Sequence, residues 1–438
     1  MKVLIFSEAP TVVSSLGKVV AYLASGLAEL GYEVHVAPFS VSITSSMLSF
    51  EKTVSLCELA AKSKVPLADL YPCADIHIHP WGRLYPVTDL DIVHEADALM
   101  VYSYPYVELD LNDVAYKFFT SRGKPAVIYA LHEGPVLGVE EALSVVAYSM
   151  VLTPTRETGL RYIDALAKSG KAGAESIGAY FAVLQHPVNT ALFSPSAAAE
   201  LRKHYGEPLL NYDAVIGMIA KNHIRKDYAA LLEAVVRARI ETGRDIAAGL
   251  YWIDAVSGNY WKRDDLVRRV SGKLGVDREV VEESIEMLPQ KYRAHGAPDS
   301  YMVYAYTSLM TMHLFLTRAE AYGLPPVESA LLGVPTATTD IPQQREIFGD
   351  GIRYVKTGIL ERDDFTLYQP DPADASRAIV EYLEGKLPAP SREKLAEAHD
   401  YRNVAKKLSA ILDVASKTPR PISEKLGIPV TVRSQPQS

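Results

Sequence analysis

Short apolar runs alternate with amphipathic stretches along most of the chain. Lys2 to Phe6 is apolar and β-rich, and leads into a loop carrying Pro10 and Gly17. Lys18 to Leu30 then places apolar residues at helical spacing and stops at Gly31, after which Glu33 to Phe39 is apolar again. Strand, loop, helix, glycine, strand is the opening unit of a doubly wound α/β domain. The pattern recurs, with strands predicted over Ala98–Tyr102, Ala126–Leu131 and Ser149–Leu152, and helices over Val114–Phe119 and around Arg161–Lys168. A second unit starts near Ala214. It reads as strand Ala214–Ala220, helix Tyr228–Thr242, strand Ile246–Ile253, helices Lys262–Leu274 and Arg278–Ile285, apolar strand Leu309–Leu316, helix Pro326–Leu332 and strand Val334–Thr338.

Between the two units, Gln185–Ala199 carries Pro187 and Pro195 and reads as a hinge. Asp374–Leu383 and Val404–Val414 are late helices. Pro419, Pro421, Pro429 and Pro436 predict a tail with little packed structure. The expected division is therefore 1–190, 191–395, a helix over 396–417 that returns to the first domain, and a tail over 418–438. Two such Rossmann-like domains are expected to face a central cleft. Ligands of doubly wound sheets bind at the carboxyl ends of strands, so a phosphate-bearing ligand is expected there.

Composition narrows this picture. A length of 438 residues calls for two or three cores. The net charge of −8 speaks against a nucleic-acid partner. Two cysteines, Cys57 and Cys73, make no disulfide framework and no zinc cluster, and no metal site is expected. No GxGxxG fingerprint is present, so a nicotinamide or flavin cofactor is not supported. The N-terminus does not read as a signal peptide, and no apolar stretch approaches the ~20 residues needed to span a bilayer. A cytoplasmic location is expected, with peripheral contact at the inner membrane face as one option.

Several segments carry candidate chemistry. Glu320 and Glu328 bracket Gly323, Leu324, Pro325 and Pro326. The prolines favour a helix start, which puts Glu320 on a loop and Glu328 in the first helical turn. A helix start suits a phosphate, and a carboxylate there suits sugar hydroxyls. The same pair also fits a dipole-favoured glutamate beside an exposed one. Lys221-Asn222-His223-Ile224-Arg225-Lys226 follows a strand, and its three cations suit a diphosphate leaving group; it equally fits a solvated basic loop. Gly17, with Lys18, sits where a backbone amide can approach an anion, or where a turn needs a glycine. His132-Glu133-Gly134 follows a strand end, where His132 faces a ligand or is satisfied locally. Residues 115–124 mix aromatic and basic side chains, as a packing helix or a membrane-facing one. Asp89-Leu90-Asp91 reads as incidental.

Together these segments resemble the retaining glycosyltransferases of family four, which have the GT-B fold. Glu320 to Gly333 with Val334–Asp340 is similar to that family's glutamate signature and the strand after it. Ile341-Pro342-Gln343, Glu346–Gly351, His186–Pro195 and Asp400–Ala405 continue the likeness, which spans residues 1–415. The sequence departs from the pattern at Asn189, usually Asp, at Lys221, usually Arg, at Ala321, usually Gly, and at Leu16-Gly17, usually two glycines.

The resemblance implies an acceptor-binding first domain and a nucleotide-sugar-binding second one. It implies that Lys226 and Lys221 hold the diphosphate, with Gly17 beneath it; Arg225, Gly323 and Leu324 are further candidates for substrate binding. Glu328 would bind the ribose hydroxyls, and Glu320 and His132 the donor sugar. It further implies no cofactor or essential metal, a nucleotide-sugar donor, and a saccharide, glycoconjugate or lipid-linked acceptor. A sugar phosphorylase, a sugar-nucleotide epimerase and a non-catalytic sugar-nucleotide-binding or assembly protein remain as alternatives.

Overall fold

The computed structural model describes residues 1–8, 10, 14–40, 54–55, 76–79, 91–105, 109–196, 198–199, 211–253, 261–287, 306–362 and 365–428. The chain divides into two compact units. The first comprises residues 1–132, 136–189 and 398–438, and the second comprises 133–135 and 190–397.

The first unit is built on β1 (Lys2–Glu8), β2 (Glu33–Ser40), β3 (Val54–Ser55), β4 (Ile76–Ile78), β5 (Ala98–Ser103), β6 (Ala126–Ala130), β7 (Met150–Thr153) and β8 (Phe181–Val183). Their order in the sheet is β3-β4-β2-β1-β5-β6-β7-β8. Every pairing is parallel except β3 with β4. Parallel strands are covered on both faces, so they need continuous apolar runs. Val3, Leu4, Ile5 and Phe6 meet that need, each with no exposed surface.

The first helix, Ser15–Glu29, begins three residues earlier than the apolar spacing suggests. Ser14 is its N-cap, and the Ser14 hydroxyl accepts the Gly17 N–H at 2.9 Å. Gly17 therefore lies inside the helix rather than on the loop. Further along this helix, a Cβ on Gly26 would collide with the Cβ of Ala405. That close approach lets the Tyr401–Lys417 helix lie against it. Arg402 and the Tyr401 hydroxyl both donate to Glu29, at 2.8 and 2.6 Å. The residues after this helix depart from the expected loose tail. A short helix, Ile422–Leu426, follows, Ile422 and Ile428 are buried, and the Ile422 and Ser423 N–H groups donate to Tyr148 and Val146. The prolines only break the long helix before this packed turn; residues 429–438 and both cysteines lie outside the described residues.

The second unit holds β9 (Ala214–Lys221), β10 (Ile246–Ile253), β11 (Ile285–Met287), β12 (Met312–Phe315), β13 (Thr336–Thr339) and β14 (Arg353–Val355). They form a wholly parallel sheet of order β11-β10-β9-β12-β13-β14. An antiparallel hairpin, β15 (Thr357–Arg362) and β16 (Phe365–Pro370), follows; the hydrophobic pattern does not announce it. Leu309–Leu316 is not one strand, because residues 306–309 are helical and only Met312–Phe315 joins the sheet.

A buried histidine ties this unit together. The Nε2 of His313, on β12, accepts the Ile219 N–H at 3.2 Å. Its Nδ1 therefore carries the proton and donates to the Ser329 hydroxyl at 2.7 Å, which in turn donates to the Pro325 carbonyl at 2.8 Å. Strand β9, strand β12 and the Leu324–Leu331 helix are thus joined by one chain of hydrogen bonds.

Candidate functional site

In a doubly wound sheet, successive strands are added first on one side of the starting strand and then on the other. The gap at that reversal is where ligands bind. In the second unit β10 and β11 extend one side of β9, and the chain then returns to place β12 on the other. The reversal therefore lies between β9 and β12. The loops leaving these two strands hold Lys221–Lys226 and Thr317–Glu320, which are 91 or more residues apart in sequence. They are sewn together. Asp227 N–H donates to the Leu316 carbonyl at 2.9 Å, Arg318 N–H donates to the Arg225 carbonyl at 2.7 Å, and Lys226 bridges Thr317 in antiparallel fashion.

The side chains meet in the same place. The Lys226 ammonium pairs with the Glu320 carboxylate and lies 4.4 Å from the centre of the Phe315 ring. Both ionic residues are buried, Lys226 at 5% exposure and Glu320 at 9%. Arg225 donates to Glu133 at 2.9 Å and to the Ala319 carbonyl at 3.1 Å, and its guanidinium lies 3.8 Å from Glu320. Burial pulls the Lys226 pKa down to about 8, against the attraction of Glu320 and with help from Arg225. Burial alone would raise the Glu320 carboxyl, but the Lys226 and Arg225 charges hold it below the usual range. The pair is thus ionised at neutral pH, with the lysine nearer its titration point.

Four further side chains, Asn222, Trp261, Asp227 and Arg318, hold this loop in shape. The Asn222 side chain makes a reciprocal pair with the backbone of Trp261, at 2.9 and 3.0 Å. The Trp261 indole N–H donates to the Lys226 carbonyl at 2.7 Å. Asp227 caps the Tyr228–Thr242 helix and accepts from Arg318 Nε at 2.8 Å. An Asp just before an amphipathic helix is a readable cap signal; the Asn222–Trp261 pair leaves no such trace. His223 serves the loop too, since its Nδ1 accepts the Arg225 N–H at 3.2 Å. Lys221, by contrast, is the exposed last residue of β9.

Downstream of Glu320 the chain turns at Gly323, the N-cap of the Leu324–Leu331 helix, with φ 89° and ψ 70°. A Cβ there would stand 2.5 Å from the Gln344 amide nitrogen and 3.5 Å from the Glu320 Cγ. Gln344 is itself fixed, because its amide donates to the Tyr322 carbonyl. Gly323→Ala is therefore expected to cost about 2–3 kcal/mol, from left-handed backbone strain plus displacement of Gln344. Calorimetry of the full chain checks this through the melting of the second unit.

Pro325 and Pro326 occupy the second and third helical positions and carry no N–H, so the donors of this helix start are fewer than usual. Glu328 is the fifth helical residue. It sits in the second turn rather than the first and is 1% exposed.

His132 belongs to the first unit, following β6, and is 7% exposed. Its Nδ1 lies 2.8 Å from the Glu141 carboxylate, on the short Val139–Leu143 helix. The bases of residues 115–124 are engaged locally. Lys117 pairs with Asp113, Arg122 stands over the Phe118 ring, and Lys124 donates to the Ala96 carbonyl. Among the described residues, no helix is long and apolar enough to cross a membrane, and no three His, Cys, Asp or Glu side chains are grouped to hold a metal ion.

No protein-family model matches the chain, and no curated protein sequence matches it. Solved structures do match its shape. The Anabaena protein HepE, in complex with UDP and glucose, is similar at a TM-score of 0.62 and 14% identity, over 94% of this chain and 99% of that one. Sucrose-phosphate synthase from Thermosynechococcus elongatus gives 0.62 and 13%, over 94% and 98%. The α,α-trehalose 6-phosphate synthase from Burkholderia multivorans gives 0.63 and 10%, over 95% and 98%. At such identities the likeness is one of fold, and the fold is GT-B, with two Rossmann-like parallel α/β domains.

Proposed function

We propose that the chain is a nucleotide-sugar-dependent glycosyltransferase that moves a hexose from a nucleoside diphosphate to an acceptor hydroxyl with retention at the anomeric carbon. The observation that carries this reading is the Arg225–Lys226–Glu320 cluster at the strand reversal of the second sheet. Two cations and a carboxylate are held there by backbone pairing between two loops, at the place where this fold class receives ligands. The HepE structures with UDP and with UDP-glucose support a nucleotide-sugar donor. Retention rests on the Glu320–Glu328 signature.

In this reading the bond between the anomeric carbon and the diphosphate oxygen breaks, and its electron pair leaves with the diphosphate. The acceptor oxygen bonds to the same face, and its proton passes to the departing phosphate oxygen. Lys226 and Arg225 offset the charge growing on the leaving group, a preorganised electrostatic role that calls for no resident metal. An ammonium has three donors, so Lys226 can keep Glu320 while it takes a phosphate oxygen. Glu320 orients the sugar, Glu328 takes the ribose hydroxyls, and the Gly323 and Leu324 amides and Lys221 assist at the phosphates. Gly17 is left out of the phosphate set, because its N–H is already given to Ser14. The acceptor is a saccharide, a glycoconjugate or a lipid-linked hydroxyl, met in the cytoplasm.

A thermal-shift panel of uridine, guanosine and adenosine diphosphates and their hexose conjugates tests the reading. One family of ligands is expected to raise the melting temperature. No shift with any of them sinks it. The pH dependence of that binding is a second check. Lys226 titrates near 8, so affinity for the diphosphate is expected to hold at pH 7 and to fall by up to about tenfold per pH unit above 8. Calorimetric binding that stays flat from pH 7 to 9.5 removes Lys226 from the phosphate site.

A further inference from the structure

Arg225, Lys226 and Asp227 are gripped by one residue of the neighbouring loop. Arg318 N–H donates to the Arg225 carbonyl at 2.7 Å, and Arg318 Nε donates to Asp227 Oδ2 at 2.8 Å. Lys226 lies between these two anchors. Its own carbonyl accepts the Trp261 indole N–H at 2.7 Å, and the Arg318 guanidinium lies over that indole, 5.6 Å from the ring centre. Arg318 is held in turn from β16, where the Tyr368 N–H donates to its carbonyl at 2.8 Å. A planar guanidinium can cover an indole face while its edge donates to a carboxylate; a compact, hydrated ammonium cannot do both. Only 5% of the Asp227 side chain and 16% of that of Arg318 are exposed, so solvent screens their pairing little.

We propose that Arg318 is a positioning residue: it fixes the backbone on both sides of Lys226 and so sets where the ammonium meets the departing phosphate. The phosphate rests on the transfer reading above; the hold on Lys226 rests on geometry alone. A charge that stabilises a leaving group acts only from the right place, and a displacement of about 1 Å costs on the order of 100-fold in rate. The lysine stem is flexible, so the side chain does not define that place by itself. The charged groups facing the ammonium are Glu320 from the β12 loop, Arg225 from its own loop, and Glu133. With the backbone freed, the ammonium gains water and the burial that pulls its pKa down is relieved. Its titration then moves up from about 8 toward the ordinary lysine value of 10.5.

The test uses the full chain with isotope-labelled lysine, the Lys226 signal being the one lost in Lys226→Met. The wild-type signal is expected to titrate near pH 8. Arg318→Met removes the guanidinium and keeps an apolar stem beside Trp261. Asp227→Asn is the gentler variant. Its Oδ1 still accepts the Ala230 N–H and keeps the helix cap, while its amide NH₂ meets the Arg318 Nε–H as a second donor. In both variants the Lys226 midpoint is expected to rise by about one pH unit or more. The kcat for hydrolysis of labelled UDP-glucose is expected to fall about 10–100-fold, with KM within about threefold.

A Lys226 midpoint that stays at the wild-type value in both variants overturns the inference whatever kcat does, because a general loss of stability lowers activity without rehydrating one ammonium in the folded chain. Wild-type kcat in both variants overturns it as well. Where Arg318→Met does not fold, Asp227→Asn decides alone. A midpoint that rises as expected, in a protein that neither binds nor turns over any nucleotide sugar, overturns the transfer reading and leaves Arg318 as the residue that places the ammonium.

Discussion

Lys226→Met is expected to lower donor turnover by about 10²–10³-fold in kcat, the loss that follows removal of one preorganised charge-stabilising donor. It is also expected to destabilise the second unit by about 3 kcal/mol. Glu320 would stay buried without its main counter-charge, and a broken buried pair costs about 3–5 kcal/mol. Arg225, still 3.8 Å away, offsets part of this and sets the lower end. Burial of the pair thus ties the loss of activity to a loss of stability. The double variant Lys226→Met/Glu320→Gln separates the two effects. With both charges gone most of the stability is expected to return, while turnover stays low because no ammonium meets the leaving phosphate. Thermal melts and release of labelled nucleotide read the two quantities independently. Full turnover by Lys226→Met would remove the leaving-group role, and a double variant no more stable than the single one would remove the buried-charge argument.

Both units are expected to lose stability on mild acidification, before their carboxylates titrate. Each holds a fully buried neutral histidine. In the first unit, Nδ1–H of His186 donates to the Tyr129 hydroxyl at 2.7 Å and Nε2 accepts from Tyr102 at 3.2 Å. In the second, His313 sits between Ile219 and Ser329. Burial drives both pKa values down to about 3, for His186 with a further push from His399. A histidine with a depressed pKa contributes its full stability above the unfolded value of about 6.5. Below that, the unfolded chain takes up a proton that the folded chain refuses, and stability falls by about 1.4 kcal/mol per pH unit for each group. Each of these two histidines is then expected to cost its unit about 2 kcal/mol between pH 6.5 and 5. The window is clean with respect to Asp374, which burial opposes but Arg353, the Lys356 N–H and Arg377 hold ionised down to about 2. His313→Gln is expected to flatten the pH slope of the second unit and leave that of the first. Equal slopes in both proteins would exclude His313 as the source.

The glutamate segment shows how far a local signal reaches. Pro325 and Pro326 announce a helix start, and a helix starts there, two residues earlier than the expected Pro326, at Leu324. The offset puts Glu328 in the second turn. Glu320 is legible as a loop residue after a strand. Its partner is not, because Lys226 is 94 residues away in sequence. The hairpin Thr357–Pro370 is silent for a similar reason: its value lies in the Tyr368 N–H that reaches the Arg318 carbonyl, a contact between distant segments.

Hydrophobic periodicity is local, and it determined what local patterns can: α/β units in series, the all-apolar parallel strands, and the loops at which strands hand over to helices. Capping chemistry belongs to the same level: Ser14, as the N-cap, is a local signal, and it places Gly17 inside the helix. Strand order is a different kind of fact. Nothing in the chain near Lys221 states that β12 will lie beside β9, since that follows only from how the crossovers pack on both faces of the sheet. Tertiary structure alone decided that Arg225, Lys226 and Glu320 share one buried place. Burial then gave them their character, because a lysine and a glutamate on solvated loops keep ordinary pKa values and a weak attraction, whereas out of water each depends on the other for its charge.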